Sequence, residues 1–138
     1  MRIAKEFNWE MGHRLPKHFG KCKNIHGHSY KMSVELEGEI DPNTGMIMDY
    51  YDVKKMVNPI VEELDHCFMV NSKDKDIIAF LEKVDSKKVV VDFDSTVENI
   101  CMYMLNKIKQ ENFPSNIKKL KVRIFETYDD YAEAEVTL

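Results

Sequence analysis

The spacing of apolar residues changes between His26 and Leu64 from every second position to every third or fourth, which limits the chain to a few fold classes. From His26 to Glu37, apolar residues at even positions alternate with polar ones at odd positions. Such alternation predicts a half-buried β-strand, since successive side chains of a strand point to opposite faces. From Val53 to Leu64 the apolar residues recur at helical spacing, which predicts an amphipathic helix. We therefore expect a fold that combines a sheet with helices.

The same patterns predict the remaining elements. Further strand segments are expected at residues 3–9, 46–48, 89–91, 120–126 and 128–138. Residues 77–81 and 97–108 favour helices, and Ser95 with Glu98 forms a capping box ahead of the second helix. Pro59 interrupts the first helix and can kink it. Strand pairs on both sides of the helices indicate an α+β fold in a ββααββ-like order, with an antiparallel sheet covered on one face.

Length and composition exclude several classes of protein. The 138 residues carry 20 Lys and Arg against 24 Asp and Glu, which disfavours a wholly basic nucleic-acid binder. No apolar run approaches the ~20 residues that span a bilayer, and we expect no secretory signal. Three cysteines, an odd number, indicate free thiols in a reducing cytoplasm. A chain of this length is most simply one domain, residues 1–138.

The charges are unevenly distributed along the chain. Residues 1–31 hold seven basic and two acidic side chains, so this segment carries +5 although the whole chain carries −4. Four of the five histidines fall in the same segment. Binding of anions or metals is therefore expected to involve this part of the chain.

Two histidines separated by one glycine form the most informative tripeptide. His26 and His28 share the strand face that becomes interior, so their imidazoles can bind one ion. His13, near the end of the preceding strand, is a candidate third ligand, and three imidazoles with a vacant position are typical of catalytic zinc. The alternative is a set of core histidines satisfied by hydrogen bonds. His18 lies in a predicted loop and is left out of the ligand set.

Cys22 and the pair Asp65–His66 are candidates for proton transfer. Cys22 lies between Lys21 and Lys23, and cationic neighbours favour the reactive thiolate. Its spacing from His26 would equally allow it to be a fourth zinc ligand. Asp65 beside His66 is either an orienting pair for a proton-transfer imidazole or a chance neighbour.

Glu126 is the single acidic residue on an otherwise apolar strand face. A buried carboxylate requires a cation or a ligand that donates two hydrogen bonds, such as the amidine-like edge of a guanine or pterin ring. Arg123 is disfavoured as its partner, because position 123 points to the other face. A partner from elsewhere in the fold remains open.

Six motifs in fixed order resemble those of one protein family. The motifs are Trp9-Glu-Met-Gly-His13, Cys22-x-x-x-His26-Gly-His28-x-Tyr30, Gly45-Met-Ile-Met-Asp49, Leu64-Asp-His66, Thr96-Val-Glu-Asn99 and Glu126-Thr127. Together they resemble the 6-pyruvoyl-tetrahydropterin synthase family, which includes bacterial 6-carboxy-5,6,7,8-tetrahydropterin synthase. The resemblance covers about residues 7–135. It implies a tunnelling fold (T-fold): a four-stranded antiparallel sheet with helices on one face.

The resemblance also implies roles for individual residues. The implied ligands of Zn²⁺ are His13, His26 and His28. Cys22 would be the proton acceptor, activated by Asp65 and His66 of a neighbouring subunit in a trimer or hexamer. The residues implied to contact the pterin are Glu126, Thr96 and Thr127, and Glu126 is also counted with the catalytic groups. Basic residues available to a triphosphate are Arg14, Lys17, Lys21 and Lys23.

The implied substrate is 7,8-dihydroneopterin triphosphate, with zinc as Lewis acid and template. A compact chain is similar to the bacterial members, so we expect the product 6-carboxy-5,6,7,8-tetrahydropterin, with release of acetaldehyde and triphosphate. One alternative is the pyruvoyl-forming reaction, which releases triphosphate only. A second is a non-catalytic, zinc-stabilised oligomeric module.

Overall fold

Two long antiparallel strands form the centre of the sheet. In the computed structural model, which describes residues 1–138, β1 (Arg2–His13) pairs with β2 (His26–Gly38) over its whole length. The register places His13 opposite His26, so the strands end and begin at the same edge of the sheet. The alternation predicted for this region is confirmed.

Three helices and four further strands complete the fold. They are α1 (Tyr50–Leu64), β3 (Cys67–Asn71), α2 (Lys75–Lys83), β4 (Lys88–Val91), α3 (Val97–Ile108), β5 (Ile117–Phe125) and β6 (Tyr131–Thr137). The strand order in the sheet is β4-β3-β1-β2-β5-β6. The strands β1, β2, β5 and β6 are antiparallel neighbours, as predicted.

The sheet has six strands rather than the four expected. β3 and β4 extend it beyond β1 in parallel orientation, and β3 meets β1 only at Met11 and Gly12. The helix α2 supplies the crossover that a parallel pair requires. The segment that forms β3 is a short apolar run without alternation, which does not distinguish a strand from a buried helix turn.

The helices α1 and α3 cover one face of the sheet and bury the predicted apolar stripes, whereas α2 packs against the opposite face of β3 in a small separate cluster with Val70. Buried residues of α1 are Val53, Val57, Ile60, Val61 and Leu64, and those of α3 are Ile100, Cys101, Met104, Leu105 and Ile108. They form one core with the inner face of β1, β2 and β5. The helix α1 continues through Pro59. None of the helices combines the length and apolar character needed to cross a membrane.

Residues 46–48 form no strand, which corrects the sequence prediction. The backbone N–H of Asp41 donates to the carbonyl of Met46 at 2.8 Å. The side-chain amide of Asn116 donates to the carbonyl of Ile47 at 2.9 Å. The carbonyls that a sheet would use are therefore occupied by a turn and a side chain, and Ile47 is buried.

The N-terminus of α3 also differs from the prediction. Thr96, not Ser95, is the capping residue, and its hydroxyl accepts a hydrogen bond from the backbone N–H of Asn99 at 3.3 Å. Ser95 is 2% exposed. It lies against the end of β1, where it contacts His13.

Candidate active site

Three imidazoles meet at the edge of the sheet where β1 ends and β2 begins. The ring centroids of His13 and His26 are 4.6 Å apart, those of His13 and His28 5.2 Å, and those of His26 and His28 4.9 Å. One ligand atom from each ring lies within 4.8 Å of the other two. The structure therefore brings together the three predicted ligands in a cluster that could bind one metal ion.

Gly27 allows the two strands to approach closely at this cluster. A Cβ atom at position 27 would lie 3.0 Å from the carbonyl oxygen of Met11 on β1. A side chain there would push the strands apart, and the register that places His13 opposite His26 would be disturbed. The glycine between the histidines therefore serves the backbone approach.

Hydrogen bonds at Nδ1 fix the orientation of two of the three imidazoles. Nδ1 of His13 donates to the carbonyl of Ser95 at 2.7 Å, and Nδ1 of His26 donates to the carbonyl of Asn24 at 2.7 Å. The Nε2 atoms of His13, His26 and His28 are buried and have no hydrogen-bond partner. Burial lowers the pKa of His13 to about 4, so its ring is neutral near pH 7. Neutral imidazoles with free Nε2 atoms, held by backbone carbonyls, suit a metal centre.

Glu126 follows β5 and points its carboxylate at the same cluster. Its Oε1 lies 3.6 Å from Nε2 of His13 and 3.7 Å from Nε2 of His28. The hydroxyl of Tyr30, which is 1% exposed and has no hydrogen-bond partner, lies nearby. Burial first, and then the charge of Glu126, raises the pKa of Tyr30. As the sequence indicated, Arg123 pairs elsewhere, with Glu133 at 2.7 Å.

A cleft of about 540 Å³ opens beside Glu126 and His28. Its other lining residues are Gly27, Ser29, Lys31, Phe125, Thr127 and Tyr128. It brings one histidine of the candidate metal cluster together with a carboxylate, a cation and aromatic rings, a mixture typical of small-molecule sites. A larger cleft of about 760 Å³, near Asp49 and Asn116, contains none of the predicted site residues.

Cys22 lies in the loop between β1 and β2, on a short 3-10 turn, Lys21–Lys23. The carbonyl of Cys22 accepts a hydrogen bond of 2.8 Å from the N–H of Leu15, which closes the loop. Cys22 is half-buried, whereas Cys67 and Cys101 are buried and burial raises the pKa of each thiol to about 11. Of the three thiols, Cys22 is the one that a ligand can reach.

Asp65 and His66 form the turn between α1 and β3. Oδ1 of Asp65 lies 3.0 Å from Nδ1 of His66 and accepts a hydrogen bond of 3.0 Å from the backbone N–H of Glu10. The φ angle of His66 is 59°, a left-handed conformation that costs roughly 1 kcal/mol or more for a side chain other than glycine. The imidazole is 77% exposed. No hydrogen bond or ion pair within the chain joins this pair to Cys22 or to the three clustered histidines.

The basic residues proposed for a triphosphate have different surroundings. The guanidinium of Arg14 forms two hydrogen bonds of 2.7 Å with Asp74 and holds the pKa of that carboxyl below its usual value. Lys21 is exposed. Lys31, which the sequence reasoning missed, lines the cleft with its Nζ 4.6 Å from the ring centroid of Phe125. Lys31 alternates with the buried residues of β2, so the sequence pattern indicated a side chain in solvent. The cleft beside it is formed only when β5 pairs with β2.

Thr127 lies two residues after the end of β5, and Thr96 lies immediately before α3. Thr127 follows Glu126 and lines the cleft, and its hydroxyl lies 3.0 Å from a carboxylate oxygen of Asp130. Thr96 caps α3. Ser95 was also missed as a site residue, although its carbonyl fixes the ring of His13. No sequence pattern signals a contact across 82 positions.

A sheet covered by helices on one face, with three imidazoles at the edge of its central strand pair, defines a class of α+β proteins with a candidate metal centre. The family model described as 6-pyruvoyl tetrahydropterin synthase matches residues 2–136. The chain belongs to this family, and the predicted T-fold is confirmed with the two additional strands.

Relatives support the assignment over nearly the whole chain. The 6-carboxy-5,6,7,8-tetrahydropterin synthase of Haemophilus influenzae is 32% identical, over 96% of each chain. The 6-pyruvoyl tetrahydrobiopterin synthase of Homo sapiens is 34% identical, over 91% of this chain and 85% of its own. The solved structure of the Caenorhabditis elegans 6-pyruvoyl tetrahydropterin synthase superposes with a TM-score of 0.75 at 30% identity, covering 99% of this chain and 95% of its own.

Proposed function

We propose that this protein converts 7,8-dihydroneopterin triphosphate to 6-carboxy-5,6,7,8-tetrahydropterin, with release of acetaldehyde and triphosphate, in the cytoplasm. This reaction would feed the synthesis of 7-deazaguanine compounds such as queuosine. The observation that carries the proposal is the set of three buried, unpartnered Nε2 atoms beside Glu126 and an open cleft. Relatives such as the 6-carboxy-5,6,7,8-tetrahydropterin synthase of Haemophilus influenzae support the same reaction.

The proposed cofactor is Zn²⁺, held by His13, His26 and His28. Bound there, the ion would supply Lewis-acid chemistry that makes the substrate side chain more acidic. The chain's own contribution is to keep Nε2 free, since the carbonyls of Ser95 and Asn24 occupy Nδ1 of two rings.

Cys22 is the proposed proton acceptor. Its Sγ would take the proton from the substrate carbon that bears the side-chain hydroxyl, because Cys22 is the one thiol of the chain that is not buried. Asp65 would orient His66 through the 3.0 Å contact at Nδ1, which leaves Nε2 free to exchange a proton with the thiol. The exposed imidazole, which forms no hydrogen bond or ion pair with Cys22 of its own chain, supports an arrangement in which His66 serves the thiol of a neighbouring subunit in a trimer or hexamer.

Glu126 is the proposed anchor for the pterin ring. Its carboxylate borders the cleft and can accept two hydrogen bonds from the amidine-like edge of the ring. Thr127 lines the same cleft, and Thr96 is proposed to approach the substrate from the start of α3. Lys21 and Arg14 remain the proposed triphosphate contacts, and Arg14 would act while still paired with Asp74.

The replacement Cys22→Ala tests the catalytic reading against a structural one. We expect release of triphosphate from 7,8-dihydroneopterin triphosphate to fall by at least about a hundredfold, since general-base removal typically costs ~10²–10⁴. Zinc content should remain at the wild-type level, and Cys67→Ala, which alters a buried thiol, is the matched control. Loss of zinc from the Cys22 variant would instead support a non-catalytic module in which this thiol completes a four-ligand site.

The second candidate reaction forms 6-pyruvoyl-tetrahydropterin and releases triphosphate only. The 34% identity to the human 6-pyruvoyl tetrahydrobiopterin synthase favours keeping it. The two reactions use the same substrate and differ in whether acetaldehyde leaves, so analysis of the small aldehyde product separates them.

A further inference from the structure

The distances from the Glu126 carboxylate to the histidine cluster are too long for hydrogen bonds. Oε1 is 3.6 Å from Nε2 of His13 and 3.7 Å from Nε2 of His28, beyond the roughly 2.7–3.2 Å of N–H···O bonds. The proton of His13 is on Nδ1, because that atom donates to the carbonyl of Ser95. Its Nε2 therefore presents a lone pair towards a carboxylate oxygen, an arrangement that a cation between them would stabilise.

The same separations fit two ligands of one ion. With metal–nitrogen and metal–oxygen distances of about 2.0–2.2 Å and a tetrahedral angle, two ligand atoms lie about 3.4 Å apart. The carboxylate oxygen is at this spacing from two of the three imidazoles. Oε1 of Glu126 therefore lies at ligand spacing from two members of the cluster, and since only the three histidines lie within 4.8 Å of one another, a rotation of the Glu126 side chain would be needed to complete a four-ligand set.

We propose that Glu126 is a protein ligand of the metal in the substrate-free state and exchanges its partner when substrate enters the cleft. The second claim, that Glu126 exchanges its partner, rests on the proposed function. The carboxylate would leave the metal to accept hydrogen bonds from the pterin ring, and the coordination position that it vacates would become available to the substrate side-chain hydroxyls. Until a ring with the correct donor pattern binds, Glu126 would therefore occupy the coordination position that the substrate needs.

The surroundings of Glu126 suit such an exchange. Its side chain is 22% exposed and stands between the buried cluster and the cleft of about 540 Å³. It follows the last residue of β5, so a small rotation of the side chain moves the carboxylate between the two sites without disturbing the ladder. The buried hydroxyl of Tyr30, which has no hydrogen-bond partner, is available as a donor to the carboxylate.

Titration of the metal-free protein with Co²⁺ tests the ligand half without any substrate. We expect Glu126→Gln to weaken Co²⁺ affinity at least tenfold and to change the visible absorption band, because water replaces a carboxylate in the coordination shell. The matched control is Glu10→Gln on the outer face of the sheet, where the carboxylate accepts from Ser29. It should leave affinity within twofold and the band unchanged. A Glu126→Gln variant that behaves like the control would overturn the proposal.

Two further measurements keep the test decisive. If Glu126→Gln does not fold, as judged by circular dichroism, Glu126→Asp gives the same prediction, since its shorter side chain cannot reach the ion. Addition of plain pterin, which lacks the hydroxylated side chain, should shift the wild-type cobalt band towards that of Glu126→Gln. If pterin binds, as shown by quenching of its fluorescence, and the band is unchanged, the exchange is overturned; if pterin does not bind, the result counts against the proposed function instead. In both cases the first result would still support Glu126 as a ligand.

Discussion

Arg14 and Asp74 form an ion pair with two hydrogen bonds next to the histidine cluster. The two 2.7 Å hydrogen bonds between them join the end of β1 to the residue before α2, and the Asp74 side chain is 6% exposed. Arg14→Met would leave this carboxylate buried without its partner. We expect the free energy of unfolding to fall by about 2 kcal/mol or more in urea titrations. Lys21→Met, at an exposed position, should change it by less than about 0.5 kcal/mol.

This stabilisation should depend on pH in a defined direction. Arg14 lowers the pKa of Asp74 below its ordinary 3.8, so the folded state binds the proton more weakly than the unfolded state. The contribution of the pair is therefore complete above the unfolded pKa and is lost as the pH falls through the lower folded pKa. The difference between wild type and Arg14→Met should shrink between about pH 5 and about pH 3. A difference that stays constant over this range would contradict the assignment.

The candidate ligand residues could be predicted from sequence, but their supporting contacts could not. His26 and His28 share a strand face because of their spacing, and that local rule needs no knowledge of the fold. The carbonyl of Ser95 that fixes the His13 ring, and the carboxylate of Glu126 near its Nε2, come from distant parts of the chain. The strand pairings that bring them together are not encoded in any local pattern.

At the scale of elements, the N-terminus of α3 divides two roles between neighbouring residues. Thr96 caps the helix while Ser95 turns inward to His13. We expect Thr96→Ala to lower the free energy of unfolding by about 1 kcal/mol, because the N–H of Asn99 loses its acceptor. Thr96→Ser keeps the hydroxyl and should differ from wild type by less than about 0.5 kcal/mol. Equal losses in the two variants, measured by urea unfolding, would show that the hydroxyl does not stabilise the helix.

The elements with a clear period were predicted, and of those without one the sequence predicted β4 but missed β3. Both strong helices and the central antiparallel strands follow from spacing. The parallel strand β3 is only five residues long and meets β1 at two positions, so its place depends on tertiary packing rather than on its own sequence. Residues 46–48 are apolar yet form a turn, because Asn116 provides a side-chain hydrogen bond that competes with the sheet.

At the scale of the whole molecule, we expect the proposed site to be completed by a second chain. Cys22 lies in the loop before β2, and no hydrogen bond or ion pair joins it to Asp65 or His66, although His66 and His28 line one cleft of about 340 Å³. If these groups meet across a subunit interface, mixed oligomers of Cys22→Ala and His66→Ala should recover activity. In a random equal mixture about a quarter of the sites would combine an intact thiol with an intact imidazole. Turnover should therefore rise to about a quarter of the wild-type value.

A second mixture provides the control for this experiment. In the proposed site, Cys22 and His26 come from the same subunit. Every site in a mixture of Cys22→Ala and His26→Ala therefore lacks one of them, and the mixture should recover no activity. Recovery in the control mixture, or none in the mixture with His66→Ala, would contradict an active site shared between subunits.

Product analysis tests the proposed reaction most directly. The assembled protein is incubated with 7,8-dihydroneopterin triphosphate and Zn²⁺, and the pterin and aldehyde products are identified by mass spectrometry. The proposed function predicts 6-carboxy-5,6,7,8-tetrahydropterin together with equal amounts of acetaldehyde and triphosphate. A 6-pyruvoyl product without acetaldehyde, or unchanged substrate in the presence of the zinc-loaded protein, would contradict it.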